Sequence, residues 1–446
     1  MAKVDVRSGH YLARCVRGLD LTGVEDRRQA PWTTWRLSSV VTAMLAGIMA
    51  GKKNLREAED LTAELTPDVR RVLGVWRRLS DTTMSDFATR ADIGGFQRTL
   101  RAQVQAAYRR KSLDGRWTGA PIGMVAIDGK YDRGKVRLAH PENADPEMAA
   151  LRQRYPFFQP QGQPDGHWQR GEVRLLSVML VSSPAPVFLD CLPVRGETNE
   201  MGTFPEAFHA LMAAWGDKGL FDLVSVDAGM VSKENADLVD GQGKGYLMAI
   251  KDTQPEIQRE LQRQVGEHDE TGYDVHFREH ARGETVHYFL WRTKDMAGWN
   301  AWTHLRQGLR IRRRVVPSDP KEEDTVEDRY FVSNLPWERL DAGQWAQTIR
   351  LHWRVENDGH KTLDVTFEEG KHPWTRNPHG MVVIGLLRRL AFNHVSLFRS
   401  VYLRAEHHRE TPWKKLLERF CDALRFGRLT DLLRERDLAA MGAAAV

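Results

Sequence analysis

Five short apolar runs follow one another between Gly123 and Asp252: "GMVAID", "VRLLSVMLVS", "APVFLDCLPV", "FDLVSVD" and "GYLMAIKD". Their length and their Val, Leu and Ile content read as strands. A helix-like stretch, "MGTFPEAFHALMAAWGDKG", separates the third from the fourth and is closed by Gly. A second helical stretch separates the fourth from the fifth. The order is therefore strand, strand, strand, helix, strand, helix, strand. Three strands with no helix between them predict an antiparallel meander, and the later crossovers predict parallel pairing. The chain is expected to be α+β (mixed α/β), built on one mixed sheet.

At 446 residues, several domains or subdomains are expected around this sheet. Residues 33–110 have helix-spaced apolar positions, with Ser and Asp placed as N-caps in "LSDTTMSDFATRAD". Residues 138–172, rich in Pro, Gln and Gly, read as a long loop between the first two strands. Residues 256–333 read as a second β-rich unit, after which helices return. The expected division is 1–118 helical, 119–255 first part of the core, 256–333 β-rich insertion, 334–398 second part of the core, and 399–446 helical tail. Residues 1–120 hold 21 Lys and Arg against 13 Asp and Glu, a net +8; the remainder is −3. A basic front on a slightly acidic body suggests contact with a polyanion.

With 41% hydrophobic and 28% charged residues, the composition is that of a globular protein. The apolar stretch Val40 to Ala50 is too short to cross a bilayer. The first residues lack the apolar segment of a secretory signal. Cys15, Cys191 and Cys421 are scattered, with neither metal-type nor disulfide spacing. A reducing cytoplasm is expected.

Asp128 and Asp227 each follow an apolar run and precede Gly or Ala. If strands one and four are neighbours, both carboxylates emerge at one end of the sheet. Two such groups repel unless a cation lies between them, and hard oxygen ligands favour Mg²⁺ or Mn²⁺. A third ligand is sought on a helix packed against that sheet. In "QWAQTIRLHWRVENDGHKTLDVTF", Trp345, Ile349, Trp353, Glu356 and His360 follow helical spacing, which places Glu356 on the core-facing stripe. A carboxylate there is costly unless paired or metal-bound. His352, Glu356 and His360 on one stripe also admit a zinc reading. That reading lacks His-Glu-x-x-His spacing and leaves both Asp residues unexplained.

The ordered segments "IDGK", "GETNE", "VSVDAGM", "YLMAIKDTQP", "HWRVEN", "LDVTF" and "LLRRLAFN" resemble DDE transposases of bacterial insertion sequences, above all the H-repeat-associated branch. The resemblance runs from about Arg36 to Phe398. It implies an RNase H-like core interrupted by a β-rich insertion, an N-terminal helical end-binding domain, and a triad of Asp128, Asp227 and Glu356. Two Mg²⁺ or Mn²⁺ ions, double-stranded DNA ends and target, and a homodimeric synaptic complex are implied with it. In such chemistry one ion activates water or a DNA 3′-OH and the other stabilises the departing 3′ oxygen. Lys130, Arg133, Lys251, Gln254, Arg350, Arg354 and Lys361 are the candidate phosphate contacts around the triad. Two departures stand out. The loop 138–172 lengthens the spacing between the Asp residues, and His352 and Leu363 occupy the positions four before and seven after Glu356 that carry a Tyr, Arg, Glu and Lys signature in related transposases.

Trp291, Trp299 and Trp302 in the insertion are candidates to stack on an unpaired base, or else to fill the insertion's own core. Two further functional classes are an idle DNA-binding protein derived from a transposase and a plain RNase H-like nuclease. Three intact acids argue against the first. The basic helices and the insertion are superfluous for the second.

Overall fold

The computed structural model describes residues 4–438 apart from 29–32, 115–118, 141–143, 268, 282, 301, 320, 405 and 436. The expected boundary at 118/119 and the end of the tail, 439–446, thus fall at or beyond described residues. Ten strands among the described residues form one sheet. They are β1 (Met124–Arg137), β2 (Phe158–Pro160), β3 (Trp168–Leu180), β4 (Val187–Pro193) and β5 (Leu223–Val226), then β6 (Gly245–Ile250), β7 (Val275–Ala281), β8 (Glu284–Thr293), β9 (Gln307–Val316) and β10 (Thr325–Ser333). Their spatial order is β2-β3-β1-β5-β6-β10-β9-β8-β7, with β4 also beside β3. The meander β1-β3-β4 is antiparallel, and β1, β5 and β6 run parallel, as the order of apolar runs predicted.

The β-rich unit is joined edge to edge to this core. β10 pairs antiparallel with β6, so the sheet continues through β9, β8 and β7. Two expectations need correction. Residues 138–172 are not a bare loop, because they hold β2 and a helix, Ala144–Arg154. Nor does the first strand end at Asp128: β1 continues to Arg137. β3 flanks it along its length, from Val125↔Leu180 to Arg137↔Trp168, whereas β5 accompanies only Met124 to Ile127. Beyond Ile127 one edge of β1 is open, so charged residues are tolerated and apolar content no longer marks the strand.

The helices are α1 (Val6–Arg17), α2 (Leu37–Met49), α3 (Leu55–Glu64), α4 (Pro67–Leu73), α5 (Asp81–Ala88), α6 (Ile93–Arg109) and α7 (Ala144–Arg154). They continue with α8 (Glu200–Trp215), α9 (Lys233–Gly241), α10 (Pro255–Val265), α11 (Ala342–His352), α12 (Lys361–Val365), α13 (Pro378–Leu397), α14 (Trp413–Phe426) and α15 (Leu429–Leu432). Strand alternation divides the core in two. Met124 and Ala126 pack with the N-terminal helices, α11 and α13; Val125 and Ile127 pack with Phe204, Phe208 and Leu211 of α8.

α13 is long and apolar enough to cross a membrane, yet it is buried in the protein as a core helix. Its polar residues fasten the sheet. Arg389 donates to Ser177 Oγ at 3.0 Å, and Asn393 both accepts from the Phe188 amide and donates to its carbonyl, at 2.7 and 2.9 Å. The N-terminal helices share this core. Tyr11 donates to the His394 carbonyl at 2.8 Å, and Gln97 of α6 donates to the Cys191 carbonyl at 2.9 Å. Arg101 holds the buried Asp190 carboxylate through Nε at 2.8 Å and Nη2 at 2.5 Å.

Removing Arg101 strands a charge whose side chain is only 3% exposed. Arg101→Ala should therefore destabilise the full chain by roughly 2–3 kcal/mol, read as a lower urea midpoint with an unchanged slope. An unchanged midpoint would mean that this pair does not hold α6 on the sheet.

Candidate active site

The register of the sheet makes a cleft. β5 ends at Val226 and β6 at Ile250, while β1 and β10 run past them at the same end of the sheet, β1 to Arg137 and β10 back to Thr325. Two long strands thus overshoot two short ones. The resulting cleft, about 1160 Å³, is lined by residues 128–133 of β1, 249–251 at the end of β6, 327–331 of β10, and the segment around Glu356. Asp128, Asp227 and Glu356 all line it.

Asp227 directly follows β5, and its Oδ1 accepts the Gly229 amide at 3.0 Å. Asp128 accepts the Gly129 amide at 2.9 Å, and its other oxygen lies 3.2 Å from His360 Nδ1. Burial raises the Asp227 carboxyl above its ordinary range, and the charge of Asp128 raises it further; Glu356 adds to this, while the Gly229 amide and Lys251 oppose it. His360 is buried and stacks on Phe188, and its Nε2 has no hydrogen-bond partner among the described residues.

Glu356 does not lie where helical periodicity put it. Trp345 and Ile349 are fully buried, as expected, but Glu356 is exposed. α11 ends at His352, and Val355–His360 is a π-helix in which the Lys361 amide donates to the Glu356 carbonyl, five residues back. The wider turn shifts the phase of the helix, so Val355, Gly359 and His360 face the core and Glu356 faces the cleft. Gly359 permits the close approach, since a Cβ there would stand 2.9 Å from Met179 Sδ. The zinc reading fails on His352, which points instead to Ser225 Oγ at 3.0 Å. Burial pushes its pKa down to about 4, so it is neutral.

The candidate phosphate contacts divide sharply. Arg133 and Lys251 are exposed in the cleft. Lys130 also reaches it, but its ammonium lies 2.9 Å from Asp364, 3.4 Å from Asp132 and 3.7 Å from Glu369. Gln254 donates to the Ala228 and Val231 carbonyls and braces the turn after Asp227. Arg350, Arg354 and Lys361 are not brought to the cleft. Arg350 pairs with Glu279 at 2.5 Å and covers the Tyr288 ring. Arg354 binds Asp358 and the carbonyls of Val181 and Ser183, and Lys361 is exposed elsewhere. Sequence reasoning missed Arg329, Lys371 and Arg376, all of which line the cleft. For the tryptophans, the packing agrees with the second of the two readings, a place in the core. Trp291 is buried, donates to the Thr271 carbonyl at 2.8 Å and lies under Arg310, and Trp299 and Trp302 pack against the same core. None of the three lines the cleft.

A fourth carboxylate was also missed. Glu200 opens α8, where Asn199 supplies the N-cap. Burial raises its carboxyl above the ordinary range, and Asp227 and Asp128 raise it further.

Residues 156–379, half of the chain, match the family described as "Transposase DDE domain". The chain belongs to the DDE transposase family. The matched region includes Asp227 and Glu356 and begins after Asp128. Over 209 residues the chain is 24% identical to "H repeat-associated putative transposase YhhI" of Escherichia coli (strain K12), covering 45% of this chain and 52% of that protein. Over 381 residues it is 20% identical to "Putative transposase YncI" of Escherichia coli O157:H7, covering 83% and 84%. "Putative protein YbfL" of E. coli K12 matches at 24% over 209 residues. The chain thus spans about half the length of two of these curated relatives and most of the third. The DDE transposase membership and the mixed α/β, RNase H-like core agree with the motif resemblance.

Proposed function

We propose that this DDE transposase cuts DNA at the terminal inverted repeats of an insertion sequence and joins the freed 3′ ends to a target, using Asp128, Asp227 and Glu356. The observation that carries this reading is the convergence of those three carboxylates on one cleft, at the end of the sheet where β5 and β6 stop short.

The residues fit a pair of divalent cations. The donors are hard oxygens, the charges of Asp128 and Glu356 raise the proton affinity of Asp227, and His360, whose Nδ1 faces Asp128, carries a buried, unpartnered Nε2. Among the described residues no three such side chains already stand as a closed metal cage, so binding would draw them together. When bound, Mg²⁺ or Mn²⁺ would activate the attacking oxygen and stabilise the departing 3′ oxygen. The protein's own groups orient the ligands: the Gly129 and Gly229 amides hold Asp128 and Asp227, and His360 braces Asp128. Arg133, Lys251, Lys371 and Arg376 stand exposed along the cleft to hold phosphates.

DNA binding extends to the N-terminal helices. A second cleft, about 720 Å³, lies between α1, α6 and the segment after α13. Arg7, Arg14, Arg109, Arg110, Arg404 and Arg434 line it, and Asp20, already bonded to Thr22, is the acidic residue among its lining. This basic cleft is where the net +8 of the front of the chain finds a concave surface suited to a DNA backbone. A homodimer bringing two ends together completes the proposal.

Asp128→Asn, Asp227→Asn and Glu356→Gln should each reduce Mg²⁺- or Mn²⁺-dependent nicking to background while DNA binding persists. The assay is a supercoiled plasmid carrying the repeats that flank the coding sequence. A variant that nicks at the wild-type rate removes its residue from the triad. A wild-type protein that binds the repeats but never cuts them would be an idle DNA-binding protein.

The Arg14→Ala/Arg109→Ala variant should show the opposite pattern. Binding should weaken on all sequences, and the slope of log affinity against log salt should fall by roughly one per lost phosphate contact. An unchanged slope would place the end-binding surface elsewhere.

A further inference from the structure

The cleft has a back wall that no motif of the triad describes. Alternation along β1 turns Asp128 toward the face covered by the Glu356 segment and Gly129 toward the opposite face, covered by α8. A Cβ built at Gly129 would overlap the Glu200 carboxylate, so the side chain from α8 occupies the space that any other residue at 129 would fill. Gly229, in the turn after Asp227, marks the other side of the same space: a Cβ there would stand 3.3 Å from Asp227 Oδ1 and in ordinary contact, 3.8 Å, with Glu200 Oε2. Gly129, next to a triad Asp, thus leaves room for one carboxylate from the far side of the sheet, and that carboxylate comes within contact distance of the turn that carries Asp227.

The placement of Glu200 is fixed from several sides. Asn199 Oδ1 accepts the Gly202 amide at 3.0 Å and starts the helix. Asn235 donates to the Met230 carbonyl at 2.9 Å and to the Met201 carbonyl at 3.4 Å, tying the start of α8 to the turn after Asp227. Among the described residues no hydrogen bond or ion pair neutralises Glu200; Arg174, whose charge reaches it, pairs with Glu172 at 3.2 Å. A carboxylate set beside two others without its own counter-ion costs free energy unless a cation is shared among them. An independent sign of a ligand is His360: it is 8% exposed, lines the cleft, and carries a buried nitrogen without a partner.

We propose that Glu200 is a fourth metal-ligating residue, reaching through the space left by Gly129 to share with Asp128 and Asp227 a divalent cation. The inference rests on the reading of the cleft as a metal site. It makes the cation site two-sided: Glu356 approaches from one face of the sheet and Glu200 from the other. It also explains why the strand carrying Asp128 has glycine as its next residue.

The test is Mn²⁺ binding to the full chain without DNA, by calorimetric titration, together with melting temperatures in EDTA. Glu200→Gln should weaken Mn²⁺ by roughly 10-fold or more, since even outer partners of metal ligands change affinity by about 10–100-fold. The same variant should melt above wild type in EDTA, because one of three crowded charges is gone, whereas loss of a merely structural group would lower the melting temperature. Gly129→Ala keeps the Glu200 charge but displaces it, and should also weaken Mn²⁺. Asp128→Asn is the reference. If it weakens Mn²⁺ while Glu200→Gln and Gly129→Ala bind as wild type does, Glu200 is no ligand and the triad reading stands. If Asp128→Asn itself binds as wild type does, the cleft is not the metal site, and both readings fall.

Discussion

The parallel pairing of β1 with β5, in register from Met124↔Leu223 to Ile127↔Val226, governs the chemistry of this chain. It sets the next residue of each strand, Asp128 and Asp227, side by side at the point where β5 stops. β1 continues, because β3 supports its other edge, and β10 overshoots β6 in the same direction. The floor of the cleft is therefore made of strand ends, and its walls of strand edges. Carboxylates at such a place repel each other, as the raised proton affinities of Asp227 and Glu200 register. The backbone pairing of the sheet holds them there, and a shared cation would relieve the repulsion.

Much of the charge around the cleft serves to hold that frame. Lys130 is committed to Asp132, Asp364 and Glu369, and Glu369 in turn lies 3.3 Å from the fully buried Arg389. Burial, with Glu369 beside it, pushes the Asp132 carboxyl up to about 6. Arg354 ties the π-helix to the turn between β3 and β4, and Arg350 ties α11 to β7 and β8. These links join the Glu356 segment both to the meander and to the β-rich unit. Removing Lys130 or Arg389 would leave Glu369 with a charge that the fold has already taken out of water.

The sheet order was legible because it rests on the sequence of apolar runs, and both Asp residues were legible because each closes such a run. Other features were not, for physical reasons. β1 past Asp128 is charged yet still a strand, since its pairing with β3 lies some forty residues away in sequence. Glu356 was reached by helical spacing and again by family resemblance, but its expected facing was wrong, because a π turn changes helical phase without leaving a mark on the spacing of apolar residues. Glu200 was hidden for a different reason. A Glu in the first turn of a helix reads as a favourable charge at the helix N-terminus, and nothing local shows that a glycine on a distant strand admits it to the site. Rim cations and framework cations likewise share one spelling, so Arg376 was passed over and Arg350 selected.

The central claim is that the meeting of β1 and β5 creates a divalent-cation site. Anomalous diffraction from crystals of the full chain soaked in Mn²⁺ tests it most directly. The expected result is manganese bridging the carboxylates of Asp128 and Asp227 at the mouth of the cleft. Manganese bound elsewhere, with those two carboxylates untouched at saturating concentration, would contradict the account.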